Sequence, residues 1–170
     1  MATDARDPRA IAPVVDGTGR RVAIVCGRFN ARITIRLLDG ARHLLKAAGA
    51  SDADTHEQWV PGAFEIPLVA SLLAGSGRFD AVICLGCVIR GETAHFEHVA
   101  GQCSAGIMRA GLDTGVPVVF GVLTVETLDQ ALVRSADPAE AAGVEGSQNV
   151  GAEAARVALE MIAIVASSRP

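Results

Sequence analysis

At 170 residues, half of them hydrophobic, the chain is long enough for one domain with a substantial core. A net charge of −4 argues against a nucleic-acid binder, which would show a basic face. Of the 15 basic residues only Lys46 is a lysine, and it falls late in a surface helix pattern, so an enzyme-lysine imine is a poor fit.

The first 20 residues lack the apolar stretch of a signal peptide and read as a flexible arm ahead of a single domain over 21–170. No apolar run reaches membrane-spanning length; the longest candidate, Val157 to Ala166, is interrupted by Glu160. A cytoplasmic protein is expected, with Cys26, Cys84, Cys87 and Cys103 reduced.

Arg21 to Cys26 is a β-branched run bounded by Gly19 and Gly27, the pattern of a buried strand. After Gly27-Arg28-Phe29-Asn30 comes a helix pattern. Its core residues Thr34, Leu37, Leu38, Ala41, Leu44, Leu45 and Ala48 step by three and four, and Gly49 closes it. Asp54 to Val60 is a weaker strand stopped by Pro61-Gly62. Ala63 to Leu73 follows as a helix with Pro67 near its start, where proline is tolerated.

Ala81 to Val99 supplies a third strand, a break at Arg90-Gly91-Glu92, and a third helix from about Thr93. Phe96, Val99, Cys103, Ile107 and Ala110 mark that helix's core stripe. Val116 to Val125 is a fourth strand and Thr127 to Arg134 a fourth helix. A polar, Ala/Gly-rich segment leads to a last helix from about Ala152 to Ala166. Such alternation implies a parallel sheet covered by helices on both faces. Ligands of such sheets bind at the carboxyl ends of the strands.

Several residues could carry chemistry. Cys84 and Cys87 have CxxC spacing, but three residues apart on a strand they face opposite sides, so core packing fits better than a disulfide or metal. His95 and His98 have Glu97 between them but no further clustered ligand, so no metal is expected. His95 lies just past a strand-end turn and off the apolar stripe. Position alone leaves a surface histidine and a proton-transfer residue equally open. Gly91-Glu92-Thr93 could hold a phosphate through backbone N–H groups at a helix start. Neither GxGxxG nor GxxxxGK[ST] occurs. Phe29, in a Gly/Asn turn, is oddly placed for a core and could stack on a heterocycle, whereas Phe120 reads as well as core. Glu65 either complements a helix dipole or bonds a polyol, and Arg134 either complements a dipole or clamps a phosphate.

Together GRFN (27–30), VPGAFEIP (60–67), CLGCVIRGETAHFEHV (84–99), PVVFGVLTVETLDQALVRS (117–135) and GAEAARVALEM (151–161) resemble the 6,7-dimethyl-8-ribityllumazine synthase family of riboflavin biosynthesis. The order and spacing of these segments from Arg21 to Ala163 make the match specific. The resemblance implies a flavodoxin-like α/β fold, a three-layer αβα sandwich with a four-stranded parallel sheet. It also implies a cofactor-free condensation of 5-amino-6-(D-ribitylamino)uracil with 3,4-dihydroxy-2-butanone 4-phosphate.

By the same resemblance Phe29 stacks on the pyrimidine, Ala63 and Glu65 meet the ribityl chain, and backbone groups of Val88 and Ile89 hold the uracil edge. Gly91, Glu92 and Thr93 bind phosphate and His95 transfers protons. Phe120 and Arg134 come from a neighbouring subunit of a homopentamer, Arg134 on the phosphate. Two departures stand out. Asn149-Val150-Gly151 replaces the family's usual Asn-Lys-Gly, which removes a positive charge near the substrate. The stretch from Arg134 to Gly151 is longer than in shell-forming members, so a free pentamer or a dimer of pentamers is expected over a 60-subunit shell. Against a flavin- or lumazine-binding paralogue without catalysis stand His95, Arg134 and the Gly91–Thr93 turn. Against a flavodoxin-like electron carrier stands the absence of a Ser/Thr-rich phosphate loop after the first strand.

Overall fold

The computed structural model describes residues 15–137 and 148–169. Strands β1 (Val22–Gly27), β2 (Thr55–Val60), β3 (Ala81–Ile89) and β4 (Val118–Val125) alternate with helices α1 (Ala31–Ala47), α2 (Ile66–Ala74), α3 (His95–Thr114) and α4 (Leu128–Arg134). Helix α5 (Val150–Ser168) closes the order. The four strands pair in parallel in the order β2-β1-β3-β4. This is the expected αβα sandwich. The chain goes from β1 outward to β2, then crosses back to β3, which leaves a switch point between β1 and β3.

Both faces of the central strands are buried, which explains their unbroken apolar sequences. Val22, Ile24 and Cys26 of β1 and Ala81, Ile83, Leu85 and Cys87 of β3 face α1 and α5. Ala23, Val25, Val82 and Cys84 face α2 and α3. Cys84 and Cys87 therefore lie in separate cores, as strand geometry requires. Truncating a fully buried side chain here, such as Leu37 or Ile83, costs about 2–5 kcal/mol.

Most differences from the expected boundaries have local causes. Residues 52–54 form a 3₁₀ turn in which Ser51 Oγ accepts from Ala53 N–H, so β2 starts at Thr55. Ala63–Glu65 is likewise a 3₁₀ turn, after which α2 begins with Pro67 in its first turn. Thr127 caps α4 by accepting from Gln130 N–H. Asn149 caps α5, so that helix starts at Val150, two residues earlier than expected. β4 begins at Val118 rather than Val116.

Of the expected arm, residues 15–20 are docked. Gly17 N–H donates to Ala48 O at 2.8 Å, and Val15 packs on the α1/α5 core. The remainder of the arm and residues 138–147 of the long segment lie outside the described residues. Among the described residues no helix is long and apolar enough to cross a membrane.

Candidate active site

The turn after β1 is tied to both neighbouring strands. Arg28 N–H donates to Val60 O at 2.9 Å and Phe29 N–H to Pro61 O at 3.1 Å, both at the end of β2. On the other side Asn30 Nδ2 donates to Cys87 O of β3 at 2.9 Å. Asn30 takes the left-handed conformation, φ 60°, which asparagine tolerates better than most residues. The backbone is thus fixed while Phe29 projects outward, 74 % exposed. An aromatic ring held in the open by a pinned turn is not a core residue, and its face is accessible to a flat group.

β1 pairs with β3 only as far as Leu85, yet β3 runs on to Ile89. Beyond Leu85 the β1 side of β3 has no strand against it, and Asn30 takes the carbonyl of Cys87. On that side the main-chain groups of Ile89 have no described strand partner and need one elsewhere, whereas those of Val88 point to β4, as the Arg90 N–H does in donating to Val125 O. A planar amide edge has donors and acceptors in the form such groups need.

The space above is a crevice of about 640 Å³. Phe29 borders it with Ala63 and Glu65 from the turn after β2, Val88 and Ile89 from β3, and Gly91, Thr93 and His95 from the start of α3. Eight of the candidate residues are therefore brought together. Three are not. Glu92 stands exposed outside the lining. Phe120 lies in mid-β4 on a separate groove of about 350 Å³ with Val150, Glu153, Val157 and Met161. Arg134 ends α4, where its guanidinium donates to Gln130 O at 3.0 Å.

α3 begins later than its sequence pattern implies. Ala94 is its N-cap and has no side chain that can cap; His95 is the first helical residue. Gly91–Thr93 therefore precedes the helix, and Thr93 Oγ1 accepts from His95 N–H at 3.4 Å, a long bond. First-turn N–H groups left without helical acceptors are available to an anion.

Phe96 does not belong to the core stripe. It lines the crevice, with the Arg90 guanidinium 4.2 Å from its ring centroid. Val99 borders the crevice and also packs on the α2/α3 core, while Cys103, Ile107 and Ala110 are buried as expected.

Charge in the crevice is sparse. Among the described residues no Lys or Arg lines it, and the ionisable side chains are Glu65, His95, His98 and the Cys87 thiol. Burial pushes Cys87 up to about 11, so it is a neutral thiol near pH 7 and not a nucleophile. Arg90, at the rim, is paired with Glu97 and Glu126. Among the described residues no group of three or more His, Cys, Asp or Glu is placed to hold a metal ion.

Phe64 and the Asn30 bond to β3 escape a reading of sequence pattern, and His98, for which solvent is the sequence expectation, also borders the crevice. Phe64 sits between Ala63 and Glu65, which the family resemblance does name. His98 is one helical turn beyond His95, which brings both to the same crevice.

The family description that fits this chain is 6,7-dimethyl-8-ribityllumazine synthase, over residues 19–166. A protein of that name from Edwardsiella ictaluri is 51 % identical over 158 residues, covering 92 % of this chain and 96 % of the relative. Proteins of the same name from two strains of Thermus thermophilus are 47 % identical over 158 residues, covering 93 % of this chain and 96 % of each relative. On this match and on its fold, the chain belongs to the 6,7-dimethyl-8-ribityllumazine synthase family.

Proposed function

We propose that residues 21–170 act as one catalytic domain in the cytoplasm and condense 5-amino-6-(D-ribitylamino)uracil with 3,4-dihydroxy-2-butanone 4-phosphate to 6,7-dimethyl-8-ribityllumazine. The observation that carries this reading is the crevice itself. It joins a stacking ring, an open strand edge, a carboxylate and a histidine at the switch point of the sheet. The pyrimidine lies on Phe29 with its amide edge against Val88 and Ile89, and the ribityl hydroxyls reach Ala63 and Glu65.

The substrate's 5-amino group attacks the ketone, so the imine forms between the two substrates and water leaves. Phosphate is then eliminated, the ribitylamino nitrogen closes the ring, and a second water departs. Holding two reactants in register supplies most of the acceleration. His95, at the mouth of α3, moves the protons. Phosphate sits at Gly91, Glu92 and Thr93, next to the free N–H groups of the α3 start.

A phosphate dianion also calls for a cation, and among the described residues the crevice lining has none. We infer that Arg134 and Phe120 come from a neighbouring copy in a homopentamer, free or paired into a dimer of pentamers. Val150 adds no charge beside Phe120, so Arg134 is the one cation assigned to the phosphate in this reading.

The test mixes the protein with both substrates and follows lumazine absorbance against the uncatalysed reaction. His95→Ala should slow turnover by about tenfold to hundredfold yet stay above background. Arg134→Ala should mainly raise KM for the phosphate substrate, by about tenfold. No acceleration by the wild type would overturn the reading. A fully active His95→Ala would remove the proton-transfer role, and a megadalton particle in sedimentation would exclude the free pentamer.

A further inference from the structure

Arg90, the first residue after β3, is held from three sides. Its Nε donates to Glu126 Oε2 at 2.6 Å, and Nη1 donates to the Glu97 carboxylate. The guanidinium also lies over the Phe96 ring, 4.2 Å from the centroid. Phe96 and Glu97 directly follow His95 in the first turn of α3. Glu126 joins β4 to α4, and its own N–H is held by Gln130 Oε1 at 2.9 Å. One side chain thus fastens the ends of β3 and β4 to the start of α3.

That helix start has little else to hold it. Its N-cap is an alanine, and the nearest side-chain bond is the long one from His95 N–H to Thr93. A planar fork that pairs two carboxylates while stacking on a ring restricts rotation as well as position, which a lysine ammonium cannot do. An anion-binding role fits poorly. Two carboxylates against one guanidinium leave the cluster negative, so a phosphate would have to displace one of them.

We propose that Arg90 is a positioning residue. By clamping Phe96 and Glu97 to Glu126 it sets where His95 stands in the crevice. The inference rests on the proton-transfer role proposed for His95. All three ion-pairing groups are exposed enough that the pairs add little to stability. Loss of the clamp should therefore show in turnover rather than in folding.

The test compares Arg90→Met and Arg90→Lys with the wild type, each also in the His95→Ala background. Arg78→Met serves as control, since Arg78 stacks on Phe79 at 5.1 Å just before β3, at the opposite end of the sheet. Arg90→Met should lower kcat about tenfold with both KM values within about twofold and the melting temperature nearly unchanged. Arg90→Lys should recover only part of kcat, and Arg78→Met should match the wild type. In the His95→Ala background Arg90→Met should cost little more, because both changes remove the same contribution.

Full activity of Arg90→Met overturns the proposal. So does an equal loss with and without His95, or a rise confined to KM for the phosphate substrate. If Arg90→Met does not fold, Arg90→Lys is read by the same criteria. Inactivity of the wild type itself would instead overturn the function reading, and this inference with it.

Discussion

On the α1/α5 face of the sheet, two helices meet so closely that side chains have been removed to let them. A Cβ on Gly151 would stand 1.9 Å from Leu37 O, and one on Gly40 would stand 2.1 Å from Asn149 Oδ1. Asn149 binds the crossing together. Its Nδ2 donates to Arg36 O and Ala136 O at 3.0 and 2.9 Å, and its Oδ1 accepts from Ala152 N–H at 3.0 Å.

The α2/α3 face is built differently. Its helices also touch, Gly106 against Pro67. Their outer sides, however, leave Leu68 and Leu72 on α2 and Met108 and Leu112 on α3 between 65 % and 77 % exposed. Each pair is spaced i, i+4 and so shares one helix side. Single exposed apolar residues are ordinary, but two such pairs on adjacent helices form a patch that asks for cover. One face is completed within the chain; the other is left open. The crevice, which has no cation among the described residues that line it, is open as well, at the end of the sheet between β1 and β3.

The sharpest break of this contrast is Gly151→Val. The added atoms would collide with the backbone of Leu37, so destabilisation of at least about 3 kcal/mol is expected. The observable is loss of folded, recoverable protein, or a melting temperature many degrees lower. A variant with wild-type stability would mean that the two helices can separate without cost.

Alkaline pH probes both cores more gently. Burial raises Cys26 to about 12 and Cys87 and Cys103 to about 11, and pushes Cys84 well up. These thiols stay protonated in the folded chain at a pH where unfolded ones ionise. Between about pH 9 and 11 the unfolded state therefore binds fewer protons. Stability is full below about pH 9 and falls as pH rises toward 12, by about 1.4 kcal/mol per pH unit for each thiol. Urea unfolding at pH 8, 9 and 10 checks this; a flat midpoint would contradict it.

The smallest effect on the chain's own fold is expected from Leu72→Arg with Leu112→Arg. Both side chains are already in the open, so circular dichroism should be unchanged. The mass in sedimentation should fall toward that of a single chain, and activity should fall with it. Unchanged mass would show that the patch is not where copies meet.

Much of the site was readable in the order of the residues. GRFN after a strand, VPGAFE after the next, and VIRGETAH at the end of the third place Phe29, Glu65 and His95 at successive strand ends, and a parallel sheet brings those ends together. Phe96 shows where such reading stops. It falls at the same three- and four-residue spacing as Cys103 and Ile107, so periodicity assigns it to the core. The first turn of α3 instead borders the crevice, and its apolar residues face the ligand space there. Periodicity shows which side of a helix is apolar, but not how far along the helix the sheet continues.

The sequence by itself determined the alternation of strands and helices, the opposite-facing cysteines and the family of the fold. The first two follow from repeats of 2 and 3.6 residues and from turn residues, all local in the chain, and the family rests on the resemblance of five segments in order. The tertiary structure alone decided that β1 stops short of β3 and exposes its edge, and that Asn149 fills the space left by Gly40. It also decided that Arg90 binds three elements at once and that Arg134 lies away from the crevice. Each of these depends on groups distant in sequence, whose meeting is set by packing rather than by any local pattern.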